Sequence, residues 1–228
     1  MDYIELSNLN SMADITNVFY INLKNRDDRK THVEEQLTKI GLINNFSRFE
    51  AIKLANGALG CSMSHLKCLQ QAKERNLDHI LICEDDITFL NPALFITQMN
   101  ICLSNNKEWD VILLAGNNVQ PYRIIDESCI QVSHCQTTTG YLVRRQYYDM
   151  LINNIRDGIN YLIRKDLLDP FNFAIDKYWL RLQKEHVWLL IVPLTVSQRE
   201  DYSDIECKYT NYTKLMLALD KLGSPRPT

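Results

Sequence analysis

Short runs rich in β-branched and aromatic residues alternate along the first half of the chain with longer segments whose apolar positions recur at helical spacing. That alternation restricts the fold more than any other feature. "NVFYINL" (17–23) reads as a strand ended by the charged cluster "KNRDDRK". From Asp27 to Ile40 the spacing of Val33, Leu37 and Ile40 predicts a helix, with Gly41 as its stop. "FSRFEAI" alternates through Phe46, Phe49 and Ile52 as a second strand. A glycine- and serine-rich stretch then feeds a helix carrying Leu66, Leu69 and Ala72 on one face. "HILICEDD" is a third strand, "LNPALFITQMNICLS" a proline-initiated helix and "WDVILLAG" a fourth strand. Strands alternating with helices imply an α/β fold with a mostly parallel central sheet flanked by helices.

The second half is less regular. "CIQVSHCQTTTGYLVRR" reads as strands, "QYYDMLINNIRDGINYLI" as a helix, and "HVWLLIVPLTVSQ" as a buried strand that Pro193 places at an edge or ends. "KYTNYTKLMLALDKL" predicts a C-terminal helix, followed by a "GSPRPT" tail. No internal repeat or low-complexity linker divides the chain. The organisation expected is a lead-in over 1–15, one domain over 16–207, and a C-terminal helix and tail over 208–228.

The balance of 25 basic against 28 acidic residues, a net charge of -3, provides no field for a polyanion and argues against nucleic acid as a partner. The N-terminus is acidic and lacks the apolar core of a secretory signal, and no apolar run approaches the roughly 20 residues of a membrane span. The seven cysteines show no C-x-x-C pair and mostly fall within apolar patterns, as reduced thiols would. These features together predict a cytoplasmic protein. The sequons at Asn45 and Asn211 would matter only in a secretory compartment.

Within "HILICEDDI" four apolar residues, Ile80 to Cys83, run into Glu84, Asp85 and Asp86. Ligands of such sheets bind at the carboxyl ends of the strands, where these three sit. Extended-chain alternation would point Glu84 and Asp86 to one side and Asp85 to the other. Two carboxylates in that arrangement suit Mn²⁺ or Mg²⁺ through oxygen ligands. They equally suit a solvated acidic turn ahead of the helix near Pro92.

Taken in order, "VFYINLKNRDDRK", "GALGCSMSHLKCL", "ILICEDDI", "WDVILL", "TTTGYLVRRQYYDMLI", "FAIDKYWL" and "VPLTVSQREDYSDI" resemble the motifs of family-25 glycosyltransferases, which include bacterial lipooligosaccharide and collagen hydroxylysine galactosyltransferases. The resemblance runs from about Val18 to Ile205. It implies a GT-A type nucleotide-sugar-binding fold and transfer of a hexose, galactose or glucose, from a UDP-sugar to a glycan or protein-linked hydroxyl with Mn²⁺ or Mg²⁺. The acceptor partner would be a glycan or glycoprotein.

By the same resemblance Asn22, Leu23, Arg26 and Arg29 would form the nucleotide pocket, arginine being suited to bidentate phosphate contact. Salt bridges to Asp27 or Asp28 are the alternative for the two arginines. Ser62, Ser64 and His65 would lie at a helix start that favours an anion, with capping or a core histidine as the plainer explanation. Asp85 would touch ribose or a metal-bound water. Glu84 and Asp86 would be metal ligands, joined by Gln198 or Asp204 from late in the chain. Thr139 and Gly140 would let the backbone approach the donor sugar. Asp176 would be the general base of an inverting transfer, or else a helix cap or the partner of Lys177.

Tyr122, Tyr141, Trp179 and Trp188 could stack on sugars but are more simply core residues. Cys61 reads as packing. The chain departs from the family in having a shorter segment before the Gly60–Cys61 pair, with Leu59 near a usually acidic position, which bears on donor choice. Two other classes remain compatible with the carboxylates: a metal-dependent phosphoryl-transfer enzyme or hydrolase, and a catalytically silent nucleotide-binding relative.

Overall fold

A computed structural model describes residues 9–43, 45–164, 166–203 and 208–221. In chain order the elements are β1 (Val18–Asn22), α1 (Asp27–Lys39), β2 (Phe46–Glu50), α2 (Gly57–Glu74), β3 (His79–Glu84), β4 (Ile87–Phe89), α3 (Pro92–Asn105), β5 (Val111–Leu113), β6 (Asn117–Asn118) and β7 (Tyr122–Ile124). There follow β8 (Cys129–Val132), β9 (Cys135–Gln136), β10 (Gly140–Arg144), α4 (Tyr148–Leu162), α5 (Ile175–Tyr178), α6 (Leu180–Gln183), β11 (Trp188–Ile191), β12 (Val196–Gln198), β13 (Asp201–Ser203), β14 (Lys208–Thr210) and α7 (Thr213–Met216).

Eight strands form one sheet in the order β2-β1-β3-β10-β5-β11-β8-β7. Six of them run in one direction; only β10 and β8 oppose. Strands β1, β3, β10, β5 and β11 are buried on both faces, as their near-continuous apolar runs require, while the edge strands β2 and β7 are partly exposed. Val18 and Tyr20 of β1 pack with α1 and α3 residues such as Val33, Leu37, Phe95 and Met99. Phe19 and Ile21 face the opposite layer, among Cys68, Leu69 and Ala72 of α2 and Leu151, Ile152 and Ile155 of α4. The expected α/β architecture, a mostly parallel sheet between helical layers, is therefore what the chain adopts.

Three expectations change. The C-terminal segment is not one long helix: Lys208–Thr210 pairs antiparallel with β13, and only the single turn of α7 follows. Tyr209 and Thr210 are strand formers, and the Asn211 side chain accepts the Thr213 N–H at 3.0 Å, which starts the helix afresh. Of the two alternatives for Pro193 the strand end holds and the edge does not, because β11 lies between β5 and β8 and ends at Ile191, two residues earlier. Its missing N–H falls where no ladder bond is needed. Helix α2 starts earlier than the serines suggested, at Gly57, with Asn56 as the cap accepting the Leu59 N–H at 3.1 Å.

Leu9, Met12 and Ile15 of the lead-in are buried with the α1/α3 layer, and so is Met216 of α7. The six cysteines among the described residues are all free thiols, and five of them are buried. Cys207 lies outside the described residues. Among those described, no helix is long and apolar enough to cross a membrane. Trp179, Trp188 and Tyr141 are core residues: Trp179 packs edge-on against both of the others.

Candidate active site

A cavity of about 580 Å³ opens at the carboxyl ends of β1 and β3, within the size range of small-molecule sites. Three parts of the chain converge there. Strand β3 delivers Glu84 and, in the turn beyond it, Asp85 and Asp86. The β4–β12 ribbon, with Gln198 opposite Ile87, carries Gln198 and Arg199 to the same edge from late in the chain. The segment before β10 brings Thr137 and Thr138, because Thr139 C=O accepts the Glu84 N–H at 3.0 Å and so fixes the two strands side by side.

The three carboxylates have different surroundings. Glu84 Oε1 accepts Thr138 Oγ1 at 2.7 Å and lies 3.4 Å from His65 Nε2 and 3.7 Å from Cys61 Sγ; its Oε2 accepts Gln198 Nε2 at 3.3 Å. Burial would raise its pKa, but His65, Thr138 and Cys61 outweigh that and hold the carboxyl below its usual range. Asp85 accepts Asn22 Nδ2 at 2.8 Å and pairs with Arg29 Nη1 at 3.0 Å; burial still pushes its pKa up.

Asp86 is the least compensated. Its Oδ2 is 3.5 Å from Arg29 Nη1, and its Oδ1 is buried without a hydrogen-bond partner. Burial, then the charges of Glu84 and Asp85, push its pKa well above the carboxylate range.

Asp176, in the first turn of α5, lines the same cavity and accepts the Thr137 N–H at 3.3 Å. Ala174 occupies the capping position, so Asp176 is not the helix cap. Burial raises its pKa and Glu84 adds to the shift, against the Thr137 hydrogen bond and the charge of Lys177.

Arg29 pairs with Asp85, Asp86 and Asp201 rather than with Asp27 or Asp28, its Nε lying 3.1 Å from Asp201. Arg26 bridges Asp28 at 3.0 Å and Asp201 at 2.6 Å. Leu23, Arg29, Ser64, Glu84, Asp85, Asp86, Asp176 and Gln198 all line the cavity.

Asn22, Arg26, Thr139 and Gly140 do not line it. Asn22 is buried behind, where its amide holds Asp85 and the Arg26 carbonyl and accepts from Arg48. A Cβ on Gly140 would meet Ile87 Cδ1 at 2.8 Å, so close packing against β4 accounts for that glycine. Ser64 lies in the second turn of α2, where the N–H groups belong to the helix; its hydroxyl donates to Gly60 C=O at 2.8 Å and accepts the Ile52 N–H at 2.9 Å. Asp204 lies outside the described residues.

Four contributors escaped the sequence reading. Thr137 and Thr138 sit two and one positions before Thr139, the threonine singled out there. Arg199 lines the cavity and donates its backbone N–H to Asp86 C=O at 2.7 Å. Asp201 gathers the two arginines. The only local signal was the polar density of "TTTG" and "VSQREDY".

No curated protein matches the chain in sequence. Solved structures with a similar course include a glycosyltransferase involved in glycosylation of the major capsid of PBCV-1, with 11% identity, TM-score 0.41, and coverage of 78% of this chain and 93% of that one. Drosophila β1,4-galactosyltransferase 7, in complex with manganese, UDP-Gal and xylobiose, is 12% identical at TM-score 0.42, over 88% of this chain and 73% of that one. Mannose-1-phosphate geranyltransferase from Thermus thermophilus is 8% identical at TM-score 0.41, over 78% and 73%. The model of glycosyltransferase family 25, the LPS biosynthesis proteins, matches residues 52–168, just over half of the 228 residues and the stretch that holds Cys61, His65, the Glu84–Asp86 carboxylates and the threonines facing them. The chain therefore belongs to glycosyltransferase family 25.

Proposed function

We propose that the chain transfers a hexose, galactose or glucose, from a UDP-sugar to a hydroxyl of a glycan or glycoprotein, with inversion and with help from a divalent cation. The observation that carries this reading is the pair Asp86 and Asp176, two carboxyls in raised-pKa surroundings lining one cavity of about 580 Å³. Strong perturbation in a cleft marks a functional carboxylate.

The donor atoms fit a hard cation. Asp86 offers a buried oxygen with no partner, and Mn²⁺ or Mg²⁺ takes carboxylate oxygen. Asp86 is the ligand we assign. Glu84 and Gln198 stand beside it, joined to each other by a hydrogen bond of 3.3 Å. When bound, such an ion neutralises charge on a diphosphate leaving group.

The chain's own residues do the rest. Arg29 and Arg199 line the cavity and supply positive charge for the diphosphate, and Asp85 is held by Asn22 and Arg29 so that its position is set before a ligand arrives. Asp176 takes the proton of the acceptor hydroxyl as that oxygen bonds to the anomeric carbon, while the bond from the anomeric carbon to the diphosphate oxygen breaks and UDP departs. Single displacement inverts the anomeric centre. The raised pKa makes Asp176 a stronger base than an exposed aspartate.

The test is UDP release from a panel of UDP-hexoses with candidate acceptors, with and without Mn²⁺, for the wild type, Asp86→Ala and Asp176→Asn. The reading expects turnover of one donor that needs both carboxylates. Phosphate release without sugar transfer, or metal-dependent UDP affinity unchanged in Asp86→Ala, would overturn it.

A further inference from the structure

Cys61 and His65 lie one turn apart on α2, so their side chains leave the same face of the helix, and that face looks across to Glu84 at the end of β3. The Cys61 sulfur, a His65 nitrogen and a Glu84 oxygen all lie within 4.8 Å of one another. The hard-cation reading of the site uses neither Cys61 nor His65.

The two spacings to Glu84 are those of a first coordination shell. A tetrahedral Zn²⁺ with Zn–N and Zn–O near 2.05 Å and Zn–S near 2.3 Å separates its N and O ligands by about 3.3 Å and its S and O ligands by about 3.6 Å. Here His65 Nε2 to Glu84 Oε1 is 3.4 Å and Cys61 Sγ to Glu84 Oε1 is 3.7 Å. The His65 contact is long for a hydrogen bond, and both distances are right for edges of a tetrahedron.

The surroundings support the three ligand groups. His65 is fully buried, and its Nδ1 is 2.9 Å from Tyr141 OH, with the rings stacked at 5.6 Å. With a cation between them, a proton on Nδ1 would be donated to that hydroxyl and the Nε2 lone pair would go to the metal instead of an N–H to Glu84. Thr138 at 2.7 Å and Gln198 at 3.3 Å hold the Glu84 carboxylate from the other sides. All three ligand residues line the cavity, which leaves the fourth position open to solvent or ligand.

We infer that Cys61, His65 and Glu84 form a binding site for a borderline-soft cation of the Zn²⁺ type, separate from the hard-cation ligand Asp86. Sulfur and imidazole are poor partners for Mg²⁺ or Mn²⁺ and good ones for Zn²⁺. Binding displaces the thiol proton to solvent, so the cation, one thiolate and one carboxylate sum to zero charge. The His65 and Cys61 contacts to Glu84 are replaced by metal bonds, and the Thr138 and Gln198 contacts stay.

The experiment uses the metal-stripped full chain. Zn²⁺ is titrated calorimetrically, and Co²⁺ is added as a spectroscopic probe. The expected result is one Zn²⁺ per chain and a near-ultraviolet thiolate-to-cobalt charge-transfer band. Cys61→Ser should lose the band, and Cys61→Ser and His65→Gln should each weaken Zn²⁺ by more than the roughly 10–100-fold cost of losing an outer-shell partner. Asp86→Asn should keep both signals, whether or not it retains sugar transfer, which separates this site from the proposed donor site. Cys61→Ala, with melting followed for every variant, guards against a folding defect in the serine form. Absence of stoichiometric Zn²⁺ binding, a cobalt spectrum without the charge-transfer band, or Zn²⁺ affinity unchanged in both folded Cys61 variants would overturn the inference.

Discussion

Gly60→Ala sets two effects against each other. Gly60 lies inside α2, its N–H bonded to Asn56 C=O at 3.0 Å, and replacing a helical glycine by alanine is ordinarily worth up to about 1 kcal/mol in favour of the fold. The new Cβ, however, would stand 2.4 Å from Ile52 C=O and 3.4 Å from Leu54 N. Relief to an ordinary C···O contact near 3.3 Å requires the loop backbone to retreat by about 0.9 Å. That loop is pinned by the Ile52 N–H to Ser64 Oγ at 2.9 Å, and Ile52, Lys53 and Leu54 line the cavity. Overpacking against backbone costs about 1–3 kcal/mol, and the loosened hydrogen bond about 1 kcal/mol more. The penalty exceeds the propensity gain, so the variant should be less stable by about 1–3 kcal/mol. At this chain length that is a fall in Tm of roughly 2–12 °C. The loop shift should also raise KM for the ligand beside it with a smaller change in kcat. Calorimetric melting and steady-state kinetics read the two effects. A Tm that rises, with KM unchanged, would refute the packing argument and leave helix propensity in control.

Asp176→Asn should lower kcat by roughly 10²–10⁴-fold while UDP affinity stays near wild type, as measured by turnover and equilibrium binding. The raised pKa of Asp176 places the acid limb of kcat/KM above the roughly 3.9 of an ordinary aspartate, activity falling as the pH drops through it; a limb at or below that value would contradict a buried base. Asp201→Asn removes the negative charge shared by Arg26 and Arg29 and should lower stability at neutral pH by on the order of 2 kcal/mol in chemical denaturation. Although burial opposes the charge, the Tyr202 N–H, Arg29 and Arg26 depress the folded-state pKa of Asp201. Its contribution is thus present above the unfolded value near 3.9 and lost as the pH falls through the depressed one, so wild type and variant should converge at strongly acid pH.

Much of the fold was legible because its cause is local. The two faces of β1 follow from alternation alone, Val18 and Tyr20 toward α1 and α3, Phe19 and Ile21 toward α2 and α4. The insertion of β10 between β3 and β5 was not legible, since it joins residues far apart in sequence: Gly140 with Cys83, and Tyr141 with Leu113. That pairing decides that Thr138, not Thr139, meets Glu84. The C-terminal strand β14 was missed for the same reason, its partner β13 being set by tertiary contact.

The carboxylates show the limit most clearly. Alternation grouped Glu84 with Asp86, but β3 ends at Glu84, so the rule has no strand to act on beyond it. What separates the three acids is which donors remain for each. Arg29 divides Nη1 between Asp85 at 3.0 Å and Asp86 at 3.5 Å, gives Nε to Asp201 at 3.1 Å and Nη2 to Tyr202 C=O at 3.1 Å. Glu84 takes Thr138 and Gln198, and Asp85 takes Asn22. All four of those partners, Arg29, Thr138, Gln198 and Asn22, lie more than 50 residues from the acid they serve, and no local pattern records their allocation. Asp86 is left with half of its charge unanswered in a buried place. A carboxylate so placed either holds a proton or waits for a cation, and Arg29, with each of its nitrogens already engaged, does not relieve it.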